Sequence, residues 1–122
     1  MSPSWYVPRP GGGEFYTAER CHIFELLNSP ASPDGSLAVA RVEQGVTTQL
    51  HHLAGIAERY VVRRGEGLVE IGGIAQSLGV GDAVVIPAGV SQRITNTGVT
   101  DLEFYCLCTP RFRPESYVNL EA

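Results

Sequence analysis

Two glycine-punctuated blocks between Gly45 and Asn96 narrow what this chain can fold into. The first runs from Gly45 through five residues to His51, six more to Glu58 and six more to Gly65. The second runs from Gly81 through five residues to Pro87-Ala88-Gly89, two more to Gln92 and three more to Asn96. Fifteen residues separate the blocks. Glycine adopts positive φ at little cost, so the blocks read as short strands bent sharply at fixed points. Strands are expected at 21–27, 37–43, 47–53, 58–63, 67–71, 74–80, 83–86, 92–96 and 102–108, with Gly72-Gly73 as a hairpin turn. No segment keeps a helical period. Closely spaced strands with Gly/Pro turns predict an all-β sandwich or barrel.

A chain of 122 residues forms one domain and buries a core without staples. Residues 1–13 hold three prolines and three consecutive glycines, which predicts a flexible arm ahead of a domain spanning 14–122. Trp5 and Tyr6 are its candidate anchors, on the barrel or on a second subunit. The tail from 109 onward, with Pro110 and Pro114, is expected to pack along the outside. The net charge is −4 and no basic cluster exceeds Arg63-Arg64, so nucleic acid is not an expected partner. No apolar run approaches a membrane span, and the N-terminus lacks a secretion pattern. A cytoplasmic location is therefore expected. Cys21, Cys106 and Cys108 are an odd number of thiols, which argues for buried apolar cysteines over a disulfide framework.

The blocks resemble the two motifs of the cupin superfamily, G-x5-H-x-H-x3–4-E-x6-G and G-x5-P-x-G-x2-H-x3-N. Here they read GVTTQLHHLAGIAERYVVRRG and GDAVVIPAGVSQRITN. The resemblance implies a single-domain cupin double-stranded β-helix, a jelly-roll barrel closed around a central cavity. It also implies a divalent metal held by two histidines and a glutamate of the first motif and a histidine of the second. Counting back from Glu58, the first histidine is His51 or His52, according to the spacing variant. The second falls on Leu53 or Ala54, and the histidine of the second motif falls on Gln92. The implied ligand set is thus His51 or His52, Glu58 and Gln92, around Mn²⁺, Fe²⁺, Ni²⁺ or Zn²⁺.

His51 also satisfies the gap from Gly45. Strand parity points His51 and Leu53 inward and His52 outward. Glu58 shares a face with Tyr60 and Val62. A carboxylate buried there needs a cation, a hydrogen-bond network or a proton, and an ion pair with Arg41 or Arg93 is the competing reading. His22, in an early strand, is a further candidate ligand. Phe104, Cys106 and Cys108 are expected to face inward, with Tyr105 and Leu107 outward. An apolar outer face asks for cover, so a homodimer is expected.

The function this suggests is a metal-dependent enzyme acting on a small organic molecule in the barrel: an isomerase, lyase, cyclase or oxygenase. Glu58 and Tyr60 are its candidate proton-transfer groups. The alternative is a metal-free cupin that binds a small molecule without catalysis.

Overall fold

The computed structural model describes residues 2–121. Its strands are β1 (Phe15–Tyr16), β2 (His22–Leu27), β3 (Ser36–Val42), β4 (His51–Leu53), β5 (Ala57–Arg64), β6 (Gly67–Ile71), β7 (Ile74–Leu78), β8 (Ala83–Ile86), β9 (Gln92–Asn96), β10 (Leu102–Thr109) and β11 (Tyr117–Asn119). Among the described residues the one helical element is a single 3₁₀ turn, Pro114–Ser116. The strands form two sheets, ordered β1-β2-β3-β10-β5-β8 and β11-β4-β9-β6-β7, and every pairing is antiparallel. This is the all-β jelly roll that the glycine blocks imply.

The side-chain period of two decides what the barrel holds. In β10, Leu102, Phe104, Cys106 and Cys108 are buried while the residues between them look outward. In β9, Gln92, Ile94 and Asn96 are buried. In β5, Glu58, Tyr60 and Val62 are buried. The apolar members of these rows meet Val42, Val69 and Ile86 in one core, except Cys108, which packs with Leu53 and Ile56. Of the polar members, Glu58 lines a cavity at one end of the barrel, Gln92 is bonded to Tyr60 beside it, and Asn96 closes the far end of β9.

Two motif residues are structural. Gly65 has φ +82°, and a Cβ there would lie 2.6 Å from the Asp101 carbonyl oxygen. Asn96 donates to the carbonyls of Val42 (2.9 Å) and Thr100 (2.8 Å) and accepts from the Gly98 N–H (2.9 Å). It thereby ties the end of β9 to the end of β3 and to the loop before β10.

The expected strand at 47–53 is shorter than its pattern. Only His51–Leu53 is strand, and Thr47 makes one isolated bridge to Thr95. Residues 45–48 still bond to β9, with the Thr48 N–H on the Ile94 carbonyl (2.9 Å), but the Gln49 N–H turns instead to the Glu19 carbonyl (3.0 Å) on the turn before β2 and interrupts the ladder. The tail does not simply lie outside the barrel. Its strand β11 pairs with β4 and becomes the edge of the second sheet. Trp5 and Tyr6 stand 80% and 52% exposed, so neither anchors on this barrel. Among the described residues no helix is long and apolar enough to cross a membrane.

Candidate functional site

A cavity of about 470 Å³ opens at the end of the barrel where β4, β5 and β10 meet the turn before β2. Its wall is mainly apolar, with Ala38, Ala40, Ile94 and Phe104 among its residues. Glu19, His51, Glu58 and Tyr60 also line it. Register explains this gathering. His51 faces Gln92 across β4 and β9. Glu58 lies opposite Cys108 on one side and Ile86 on the other, and Tyr60 opposite Cys106. His51, Glu58, Tyr60 and Gln92 are all buried.

His51 is fixed from two sides. Its Nδ1 lies 2.8 Å from the Gln49 carbonyl oxygen, which only accepts, so Nδ1 carries the proton and Nε2 keeps its lone pair. Its ring stacks on Tyr117 of β11, with centroids 4.5 Å apart and planes 18° from parallel. Tyr117 is anchored by donating its hydroxyl to Gln49 Oε1 at 2.6 Å. Burial pushes the His51 pKa down, partly offset by the Gln49 carbonyl, so the ring is neutral near pH 7. The Nε2 atom lies 3.8 Å from Glu19 Oε2.

Glu58 is the most strained electrostatically. Its side chain is buried, Oε2 accepts a weak bond from the Cys108 thiol at 3.5 Å, and Oε1 makes no hydrogen bond of normal geometry, the Gln92 amide lying near enough only to lower the pKa. Burial pushes its pKa up to about 7, with Gln92 and Cys108 pulling the other way. Glu19 is also pushed up to about 7, first by burial and then by the charge of Glu58. Neither Arg41 nor Arg93 relieves Glu58. Arg41 is paired with Glu14 and Asp101, and Arg93 with Glu70. The competing ion-pair reading of Glu58 therefore has no partner here.

Tyr60 donates its hydroxyl to Gln92 Oε1. It is buried, and burial followed by the nearby Glu58 charge raises its pKa well above the ordinary phenol. It holds its proton and fixes the Gln92 amide. The thiols behave as the sequence predicts. Burial raises Cys21 to about 12 and pushes Cys106 and Cys108 far up as well, so all three stay as neutral thiols. His52 stands outside the cavity with Nδ1 3.0 Å from the Gly89 carbonyl oxygen. His22 is also elsewhere, 3.7 Å from Glu14 and 3.8 Å from Glu43.

A divalent ion needs several donors converging on one point. Among the described residues no three His, Cys, Asp or Glu side chains gather in that way. His51 is the one imidazole on the cavity wall, Leu53 fills the second histidine position, and the Gln92 oxygen is engaged by Tyr60. The donor set does not fit the metal centre that the motif resemblance implies. Glu19 and Tyr117 have no counterpart in the motif reading. Glu19 sits in the turn between β1 and β2, where nothing in TAERC marks it, and Tyr117 lies beyond two prolines of the tail.

The sequence profile of the cupin domain matches residues 38–108, more than half of the chain. The chain belongs to the cupin family. Among solved structures it is similar to KdgF from Halomonas sp., with 19% identity over 85% of this chain and 90% of that one, TM-score 0.72. It is also similar to Streptomyces Pac13, described as a unique nucleoside dehydratase, with 14% identity over 95% and 92% of the chains, TM-score 0.79. A predicted oxalate decarboxylase from Thermotoga maritima shares 25% identity over 86% and 98% of the chains, TM-score 0.75. No curated protein matches. At such identities the likeness to KdgF and Pac13 is one of fold.

Proposed function

We propose that this cupin is an enzyme that binds a small organic molecule in the barrel and moves protons on it, as isomerases and lyases do. The observation that carries this is the buried Glu58 carboxyl, whose Oε1 lies unpartnered on the wall of a 470 Å³ cavity. An orphaned carboxyl oxygen is costly to bury, and a ligand donor is what satisfies it. Glu58 is the base. Glu19, the second carboxyl of the cavity, is pushed up to about 7 by burial and by Glu58, so it is the second group there able to exchange a proton and then to carry a charge near neutral pH. His51, neutral and locked by Gln49 and Tyr117, offers Nε2 as an acceptor to the substrate. Tyr60 acts at one remove, by holding Gln92. The solved relatives support small-molecule binding as a class, since Pac13 is recorded with uridine.

Solvent-isotope exchange separates this reading from the non-catalytic one. The protein is incubated in D₂O with a panel of small carbonyl and hydroxyl compounds, and each compound is followed by proton NMR. Deuterium entering a carbon-bound position, and lost in Glu58→Gln, is the expected result. Ligands that bind without any exchange or turnover point to the alternative, a metal-free binding protein. Metal content is measured alongside, after purification without chelator or nickel resin. One equivalent of Mn, Fe, Ni or Zn, lost in both His51→Ala and Glu58→Ala, would restore the metal-dependent reading.

The same proposal includes a homodimer. Among the described residues no strand or helix lies over the part of the six-stranded sheet's outer face where Val61, Val85 and Leu107 are exposed. A sheet with apolar residues on both faces calls for a second layer.

A further inference from the structure

The charge inventory of the cavity wall is one-sided. Three carboxyl side chains line it, Glu19, Glu25 and Glu58, and no arginine does. The chain has no lysine, and its nine basic residues are all arginine. Of those nearest the cavity, Arg113 is exposed, Arg111 reaches the wall only through Asn28, and Arg20 is paired on the outside. Arg20, next to Glu19 in sequence, turns away to a bidentate pair with Glu121 (2.8 and 3.2 Å) and to the Thr47 carbonyl. Arg111 donates to Asn28 Oδ1 at 2.9 Å, and Asn28 in turn donates to Glu25 Oε2 at 2.8 Å. An anion entering this space would lose its water against three carboxyls and find no countercharge.

We infer that the molecule taken into the barrel is an organic cation, an amine or a protonated nitrogen heterocycle, held by Glu58 and Glu19. This rests on the small-molecule reading of the cavity given above. The second observation behind it is the Glu58 Oε1 atom, more than nine-tenths buried with its residue and without a hydrogen-bond donor. An ammonium carries three N–H donors and no acceptor, which is the complement that this oxygen lacks. Phe15, Phe104, Phe112 and Tyr117 put aromatic rings on the wall beside a cation or an attached ring, with one face of Tyr117 taken by His51. Glu19 lines the same cavity from the turn before β2. Its turn is pinned by the Gln49 N–H on the Glu19 carbonyl and by the Glu19 N–H on Thr17 Oγ1 (3.2 Å).

The test uses three probes of one shape and different charge: benzylamine, benzyl alcohol and benzoate. Each is titrated by calorimetry at pH 8 into chelator-treated full-length protein, Glu58→Gln and Glu19→Gln. A charge-assisted hydrogen bond to a buried carboxylate predicts that benzylamine binds about ten- to a hundredfold more tightly than either of the others. Each glutamine variant should cut that advantage to within about threefold, the loss of one charged partner. Melting curves check that the variants fold. Glu19 lies in a surface turn, so its variant keeps the test open should Glu58→Gln unfold. Benzoate binding as tightly as benzylamine overturns the inference and leaves the small-molecule pocket standing. An amine preference unchanged in both variants also overturns it, because the cation then sits elsewhere. No binding by any of the three brings down the pocket reading itself.

Discussion

Glu58 gains from folding only when it carries a proton. Its folded pKa of about 7 stands above the ordinary 4.5, so the native state holds the proton more tightly than the unfolded chain. Below pH 4.5 both states are protonated and the group costs nothing. Between 4.5 and 7 the unfolded chain ionises first, so stability falls as pH rises, and above 7 the full cost remains. The shift corresponds to about 3 kcal/mol at 1.4 kcal/mol per pH unit of displacement. Urea titrations of the parent should therefore show stability declining from pH 5 to pH 8. In Glu58→Gln that decline should shrink, leaving the part due to Glu19, and the variant should be the more stable protein at pH 8. A parent whose stability rises over that range would remove the strained carboxyl from the account. The Tyr60–Gln92 pair makes the opposite case, a buried polar contact that is satisfied. Tyr60→Phe should cost about 1–3 kcal/mol in urea, because it strands the Gln92 oxygen. Adding Gln92→Leu should recover part of that loss, and a double variant as unstable as the sum of both singles would mean the two do not interact.

The glycines of the motif frame differ in what they do, and the sequence alone does not separate them. Gly45 and Gly65 both have positive φ, +78° and +82°. Around Gly45 a Cβ would meet nothing, whereas at Gly65 it would meet backbone at 2.6 Å. Gly45→Ala should therefore cost about 1 kcal/mol, the left-handed penalty alone. Gly65→Ala should cost several times as much, since the Asp101 carbonyl belongs to the strand connection and cannot swing aside. Equal losses for the two in chemical denaturation would show that the close approach is relieved. The frame, the inward row of β10 and the parity of His51 against His52 were legible because they follow from local spacing and a period of two. Glu19 and β11 were not. Glu19 reaches His51 through a turn whose Arg20 has φ +70°, and that conformation is set by contacts with Thr47 and Glu121 far along the chain. The tail carries two prolines, which locally oppose a strand, yet β11 finds its partner in β4. Tyr117→Ala should unlock the His51 ring and cost about 1–2 kcal/mol of stacking and burial. The His51 ring resonances in NMR should then broaden or shift, and an unchanged spectrum would mean that Gln49 alone fixes the ring.

The barrel buries its inner faces and leaves one outer face apolar, and that asymmetry belongs to the assembly rather than to any one strand. Register lines up Phe24 with Val39, Val39 with Tyr105, and Tyr105 with Val61. A second row runs from Leu37 through Leu107 and Arg59 to Val85. Five strands spaced about 4.8 Å apart and up to eight residues long make a face of about 20 by 25 Å. Such an area is of the same order as one partner contributes to a standard interface. The charges at its rim are already used within the chain, with Arg63 on Glu103 at 2.8 Å and lying over the Tyr105 ring. A second copy would thus meet mainly apolar side chains at the centre, with Arg59 held among them by the Thr109 hydroxyl, and neutralised pairs at the edge, a pattern open to a self-complementary twofold contact. The prediction is a dimer in sedimentation at micromolar concentration, twice the 13.1 kDa chain. Its melting temperature should rise with protein concentration, since dissociation accompanies unfolding. Val61→Glu combined with Leu107→Glu puts two charges on neighbouring strands at the centre of the contact. That variant should sediment as a folded monomer while its cavity, on the opposite face of the same sheet, still binds benzylamine as the parent does. A parent that sediments as a single chain at every concentration would leave the outer face uncovered, and the apolar rows would need another partner to explain them.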